Sequence, residues 1–202
     1  MRKKRPLNEE KRKSILKAAI QQFYEKGFEG SSMDTISKEA NVSKATVYKH
    51  FKNKEELFLS IFNILKQRVN ECFQYPYNKD KSIDEQLYDI ARKEIDFLSD
   101  EQNIILIELV TVVMIQKNKI GLKVLENMND DFYLMAVQWF EDAKKDNKLN
   151  FDSSCFVSRQ FIGLIKSFVF FPQLYGSNKL NNQENEKVIF TAIKMIKTMY
   201  GK

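Results

Sequence analysis

Cys72 and Cys155 are the only cysteines in the 202-residue chain, too few for a disulfide framework. They read as ordinary reduced thiols of a cytoplasmic protein; a redox-sensing pair is the other reading. Histidine is scarcer still, with His50 alone. One imidazole excludes a histidine-rich metal site and any Ser-His-Asp arrangement away from residue 50. A glycine-rich phosphate loop, a GxGxxG turn and a CxxC pair are also lacking. An enzyme would need a catalytic constellation, and the chain offers none; no cofactor and no metal is implied. No alternating apolar run is long enough for a sheet, so the expected fold is all-α. Nor is any apolar run long enough to span a membrane. Residues 104–115 and 161–171 are apolar nearly all round, but each is short and holds a charge, Glu108 and Lys166. They read as buried core or as subunit interface.

Charge is present but unevenly spread. Residues 1–54 carry 14 Lys/Arg and 6 Asp/Glu, a net +8, whereas the remainder carries 19 and 21, a net −2. Basicity confined to one end is the footprint of a phosphate-binding face. The Arg2-Lys3-Lys4-Arg5 cluster reads as an arm adding DNA contacts or as a solubilising tail. No apolar stretch follows it, as a secretion signal would require.

Within the basic end, residues 32–57 read SMDTISKEANVSKATVYKHFKNKEEL. Ser32 suits a helix N-cap, with Asp34 in the first turn where the helix dipole favours negative charge. Ile36 and Ala40 share a face. Asn41 tolerates the left-handed conformation a helix-ending turn needs, and Val42 can plug that turn. Ser43 caps a second short helix, Lys44 to Phe51, whose Val47 and Phe51 face inward. Ala45 is small enough for close approach to a partner surface, Lys44, Thr46, Tyr48 and Lys49 are left on the open side, and Asn53 with Glu56 forms a capping box for the next helix. A short helix with cations, a hydroxyl and a phenol facing outward suits a DNA major groove.

This stretch resembles the helix-turn-helix of the tetracycline-repressor (TetR/AcrR) family of bacterial regulators. Ile36, Ala40, Val42, Ser43, Val47, Tyr48, His50, Phe51, Asn53, Lys54 and Leu57 stand at positions matching that family's pattern. Ser37, Asn41 and Ala45 depart from its usual Ala, Gly and Gly. The motif covers about the first 58 residues; the rest agrees in length and helical texture. The resemblance implies an N-terminal three-helix DNA-binding unit over 1–54 and a six-helix effector-binding and dimerisation domain over 55–202. It implies a ligand-responsive repressor that binds a (pseudo)palindromic operator as a homodimer and is released by a small lipophilic effector. A DNA-binding architectural protein without an effector, or an activator of the same fold, are the alternatives. The expected partners are double-stranded DNA, a second copy of the chain and an unidentified small molecule, with no membrane.

On DNA, Lys44, Ala45 and Thr46 lie nearest the base edges, while Ser32, Tyr48, Lys49, His50 and Lys54 are expected at phosphates, and Ser43 is a further DNA-binding candidate. His50 could instead be a packed cap. Further helices are expected over residues 8–26, 54–73, 82–98 (opened by Ser82 with Glu85), 99–116 (opened by Ser99 with Gln102), 118–146 (with a break near Gly121), 152–175 (opened by Asp152) and 181–200 (opened by Asn181 with Glu184). The first presents Ile15, Ala19, Phe23, Leu16, Ile20 and Tyr24 as one wide apolar face. In the family the helix starting at Lys54 links the two domains. Candidate effector-pocket residues are Phe62, Phe97, Glu108, Met114, Phe132, Met135, Trp139 and Phe168. Buried Glu108 either pairs with Lys166 or Arg159 or faces a cavity, where it would favour a cationic effector. Phe161, Ile165, Val169, Ile189, Ile193 and Ile196 are the expected dimer interface.

Overall fold

A computed structural model describes residues 6–127 and 131–202, with side chains placed for 9–127 and 136–202. The Arg2–Arg5 cluster and the side chains of Phe132 and Met135 therefore lie outside the described residues. Among those described, eleven helices and no strand are found, beyond one isolated bridge between Leu149 and Gly201. No helix is long and apolar enough to cross a membrane among the described residues.

The chain divides into two compact units, Met1–Gln67 with Ile105–Asn127, and Arg68–Ile104 with Met128–Lys202. The first thus holds more than the basic end up to residue 54. It contains α1 (Pro6–Gly30), α2 (Met33–Glu39), α3 (Lys44–His50), the first part of α4 (Lys54–Cys72), most of α6 (Glu101–Ile115) and α7 (Lys119–Asn127). Gly27, at φ 71°, breaks α1 where the sequence stops it. Ile15, Leu16, Ala19 and Phe23 are buried, while Tyr24 is exposed. Phe23, Phe28 and Phe58 form a triangle with ring centroids 5.4 to 5.6 Å apart. Phe28 so fixes the loop after the break against α4, whose Leu57, Phe58, Ile61, Phe62 and Leu65 complete the core. α7 lies tight on α6: a Cβ built on Gly121 would stand 2.3 Å from the Val113 carbonyl oxygen. Gly121 is thus a packing position inside α7 rather than the helix break the sequence suggests there. The expected helix over 118–146 is two helices, α7 and α8 (Asp131–Lys145).

The second unit contains α5 (Ile83–Ser99), α8, α9 (Ser154–Val169), the single turn α10 (Phe171–Leu174) and α11 (Asn182–Tyr200). Its helices start where side chains can satisfy the orphan amides of a first turn. Ser82 with Glu85, and Asn181 with Glu184, make complete capping boxes. α6 is capped by Asp100, whose carboxylate accepts the Asn103 N–H at 2.9 Å, not by Ser99. α9 is capped by Ser153 rather than Asp152. α9 packs against α5, α8 and α11 around Trp139, Phe140, Phe161, Ile165 and Ile189.

Candidate nucleic-acid interface

α2 and α3 are short helices joined by a four-residue turn, and the turn chemistry explains their placement. Ser32 Oγ accepts the Thr35 N–H at 3.1 Å, and Ser43 Oγ accepts the Thr46 N–H at the same distance. Both are extended-backbone N-caps. Asn41 adopts φ 52°, the left-handed conformation that ends α2. The Val42 N–H then donates to the Ser37 carbonyl at 3.1 Å and closes the turn. Ile36, Val47 and Phe51 are buried, which fixes the rotation of α3.

That rotation leaves Ser43, Lys44, Ala45, Tyr48 and Lys49 exposed and Thr46 half-buried. The structure therefore brings these six onto one outward face, with Ser32 exposed at the start of α2. Two expected phosphate contacts are placed differently. The Lys54 side chain is only 19% exposed, and its ammonium points back into its own unit. It donates to the Phe28 carbonyl at 2.6 Å and the Ser31 carbonyl at 3.1 Å, and sits 4.4 Å from the centroid of the Phe28 ring. A cation on the Phe28 carbonyl, in the last turn of α1, and on the Ser31 carbonyl just beyond it complements the negative end of that helix. His50 is half-buried, and its Nε2 is buried without a hydrogen-bond partner. Burial, with help from nearby Arg12 and Lys49, lowers its pKa, which favours the neutral ring. His50 thus matches the packed-cap reading.

One charged contact on this face was not foreseen. Lys44 Nζ lies 2.7 Å from Asp34 Oδ1 and 3.0 Å from Oδ2. This hydrogen bond and the carboxylate charge raise the lysine's pKa. Asp34 thus holds Lys44 in addition to its place in the first turn of α2, where the helix dipole favours it. The contact joins residues ten apart in sequence, beyond the three- or four-residue spacing by which helical pairs are read.

In the second unit the candidate pocket and interface residues are redistributed. Glu108 is half-buried on α6 in the first unit, as is Met114; Phe62 is buried there. Trp139 is buried, donates from Nε1 to Gln86 Oε1 at 3.1 Å, and borders a hollow of about 650 Å3 under residues 74–81. Phe97 borders another hollow, about 350 Å3, with Arg68, Cys72 and Asn103. Phe168 is 51% exposed and lines neither. The carboxylate that is fully buried is Glu94, not Glu108. It is 2% exposed, accepts from the Tyr75 hydroxyl at 3.0 Å through Oε1, and has no partner at Oε2. Burial raises its pKa, opposed by the charge of Lys166 and by the tyrosine hydrogen bond.

Phe161, Ile165, Val169, Ile189, Ile193 and Ile196, expected at a dimer interface, are all buried within the single chain. They hold α9 and α11 in their own unit, because both helices are apolar on two sides and these residues occupy the inner one. The outer side carries Phe168, Met195 and Met199, each about half exposed or more. Gly163, Leu164, Met195 and Met199 border a shallow groove between α9 and α11 of about 320 Å3.

The family model for bacterial regulatory proteins of the tetR family matches residues 15–61, and that for the C-terminal domain of AefR-like transcriptional repressors matches 85–202. The chain belongs to the TetR family. It is a transcriptional regulator and not an enzyme. A solved TetR family regulator from Pseudomonas syringae pv. tomato is 32% identical, with 94% of this chain and 96% of that one covered at a TM-score of 0.81. Two curated relatives match over about a third of the chain. The HTH-type regulator YhgD of Bacillus subtilis is 44% identical over 69 residues, 32% of this chain and 36% of that protein. IcaR of Staphylococcus epidermidis, a negative regulator of a biofilm operon, is 41% identical over 61 residues, 30% of this chain and 29% of that one. The matched stretch thus spans about a third of these two relatives' length.

Proposed function

We propose that this TetR-family regulator is a repressor that binds a two-fold operator as a homodimer and leaves it when a small effector binds. The observation that carries the DNA half is the outward face of α3. Lys44, Ala45 and Thr46 stand at its start, nearest the base edges, and Tyr48 and Lys49 lie one turn on, where phosphates pass. Ser32 and Ser43, with the amides of two helix N-termini, suit phosphate oxygens. One such helix reads a half-site, and two need a dimer. The outer side of α9 and α11 supports a self-complementary interface through Leu164, Phe168, Met195 and Met199. IcaR's description as a negative regulator supports repression.

The effector half rests on Glu94 together with the hollows bordered by Phe97 and Trp139. A buried carboxylate oxygen without a partner costs roughly 1–3 kcal/mol, and proteins tolerate such costs chiefly at functional sites. AibR, of the same fold at 19% identity and a TM-score of 0.65, was solved with isovaleryl coenzyme A and operator DNA. By linkage, an effector favouring the non-DNA conformation weakens DNA binding by the same coupling energy. Gel shifts with the chain's own upstream DNA test the proposal. Tyr48→Ala should weaken binding to all sequences, and Lys44→Ala should relax sequence preference. Unchanged binding in both variants would sink the α3 assignment.

A further inference from the structure

Asp34 presents a carboxylate on the face proposed to meet a polyanion, where it repels phosphates. No local helix contact uses its carboxylate: Ser32 already caps α2, and the Ser37 hydroxyl donates to the Asp34 backbone carbonyl rather than to its side chain. What the carboxylate does contact is Lys44, the first residue of the recognition helix, with both of its oxygens within 3.0 Å of the ammonium. The two side chains are 57% and 58% exposed, so the pair stands in the open on the DNA side. The ammonium also lies 6.0 Å from the Tyr48 ring centroid.

Resting on the assignment of α3 to DNA, we propose that Asp34 is a specificity-determining residue: it holds Lys44 toward base-edge acceptors and withholds it from phosphates. An ammonium has three donors. With Asp34 accepting from one or two of them, at least one remains for a base acceptor such as guanine O6 or N7, or thymine O4. A lysine stem is flexible, and a free Lys44 would settle on whichever phosphate was nearest. Tethered, it keeps one direction, and its charge is partly neutralised toward the backbone. DNA lacking the acceptor then meets the carboxylate's repulsion without the compensating base contact. This is discrimination by a built-in penalty against the wrong partner.

The experiment is a double-mutant cycle read by fluorescence anisotropy. Wild type, Asp34→Asn, Lys44→Met and the double variant are titrated against an operator duplex, selected from random sequence by the wild type, and against a scrambled duplex. Asp34→Asn keeps size and shape at an exposed site. The proposal expects it to tighten scrambled-duplex binding about threefold, the scale of one exposed charge pair, and to lower the operator-to-scrambled ratio by a similar factor. Its log–log salt slope on scrambled DNA should steepen by about 0.9, one extra phosphate contact. In the Lys44→Met background the same change should leave the ratio where it was. A ratio unaffected by Asp34→Asn, or one falling equally without Lys44, overturns the proposal. Failure of the wild type to select or bind any duplex would instead overturn the DNA assignment itself, before a variant is made.

Discussion

Lys54 separates a structural role from a DNA-binding one. Its ammonium donates to the carbonyls of Phe28 and Ser31 at 2.6 and 3.1 Å and lies over the Phe28 ring. Lys54→Met keeps most of the stem and removes the charge. Hydrogen bonds to a charged group contribute about 1.5–3 kcal/mol each, and the ring contact about 0.5–2 kcal/mol. Part of that is returned, because a mostly buried ammonium no longer has to be desolvated. A net loss of about 2 kcal/mol is therefore expected, which lowers the Tm of a chain this size by roughly 4–8 °C. The loss falls in the loop between α1 and α2, so DNA affinity should drop as well, but the salt slope should not change. The assays are thermal melting by circular dichroism and anisotropy titrations at several salt concentrations. A variant that melts with the wild type, yet binds DNA with a slope shallower by about 0.9, would place Lys54 at a phosphate and refute the structural reasoning.

Glu94 should make stability depend on pH. Its folded pKa is raised by burial, so its contribution is fully present below the ordinary glutamate range and is lost as pH rises through the raised value. Melting temperatures of the wild type and Glu94→Gln should therefore shift in the variant's favour as pH rises from about 4.5; a difference constant with pH would contradict this. Gly121→Ala puts a methyl 2.3 Å from the Val113 carbonyl oxygen and should cost about 1–3 kcal/mol by overpacking, read by urea unfolding; an unchanged midpoint would show that α7 gives way freely. Phe168→Glu, on the outer side of α9, should shift the sedimentation coefficient toward the monomer, whereas a dimer of undiminished stability would place the interface elsewhere.

What could be read ahead of the structure was what local chemistry decides. The serine caps of α2 and α3, the left-handed Asn41, and the capping boxes at Ser82 and Asn181 lie where sequence reasoning puts them. Each depends on residues within a few positions of one another. Tertiary packing decided the rest. Glu94 shares a helical stripe with Leu87, Ala91 and Leu98, all buried. That spacing was visible in the sequence, but a charged residue in an otherwise amphipathic helix is normally assigned to solvent. In α9 and α11 the apolar residues cover two sides, and spacing alone cannot say which side stays inside. Lys54 looked like one more cation of a basic face until the break at Gly27 turned the end of α1 toward it.

Whether α3 reads DNA in a two-fold dimer is decided by selecting bound duplexes from a random-sequence library. The expected outcome is enrichment of an inverted repeat whose half-sites are centred a helical turn or more apart, with binding that falls steeply with salt. Lys44→Ala should also lose preference at symmetric positions in both half-sites. A library that emerges without an enriched sequence, or with one lacking two-fold symmetry, would contradict two-fold reading by α3.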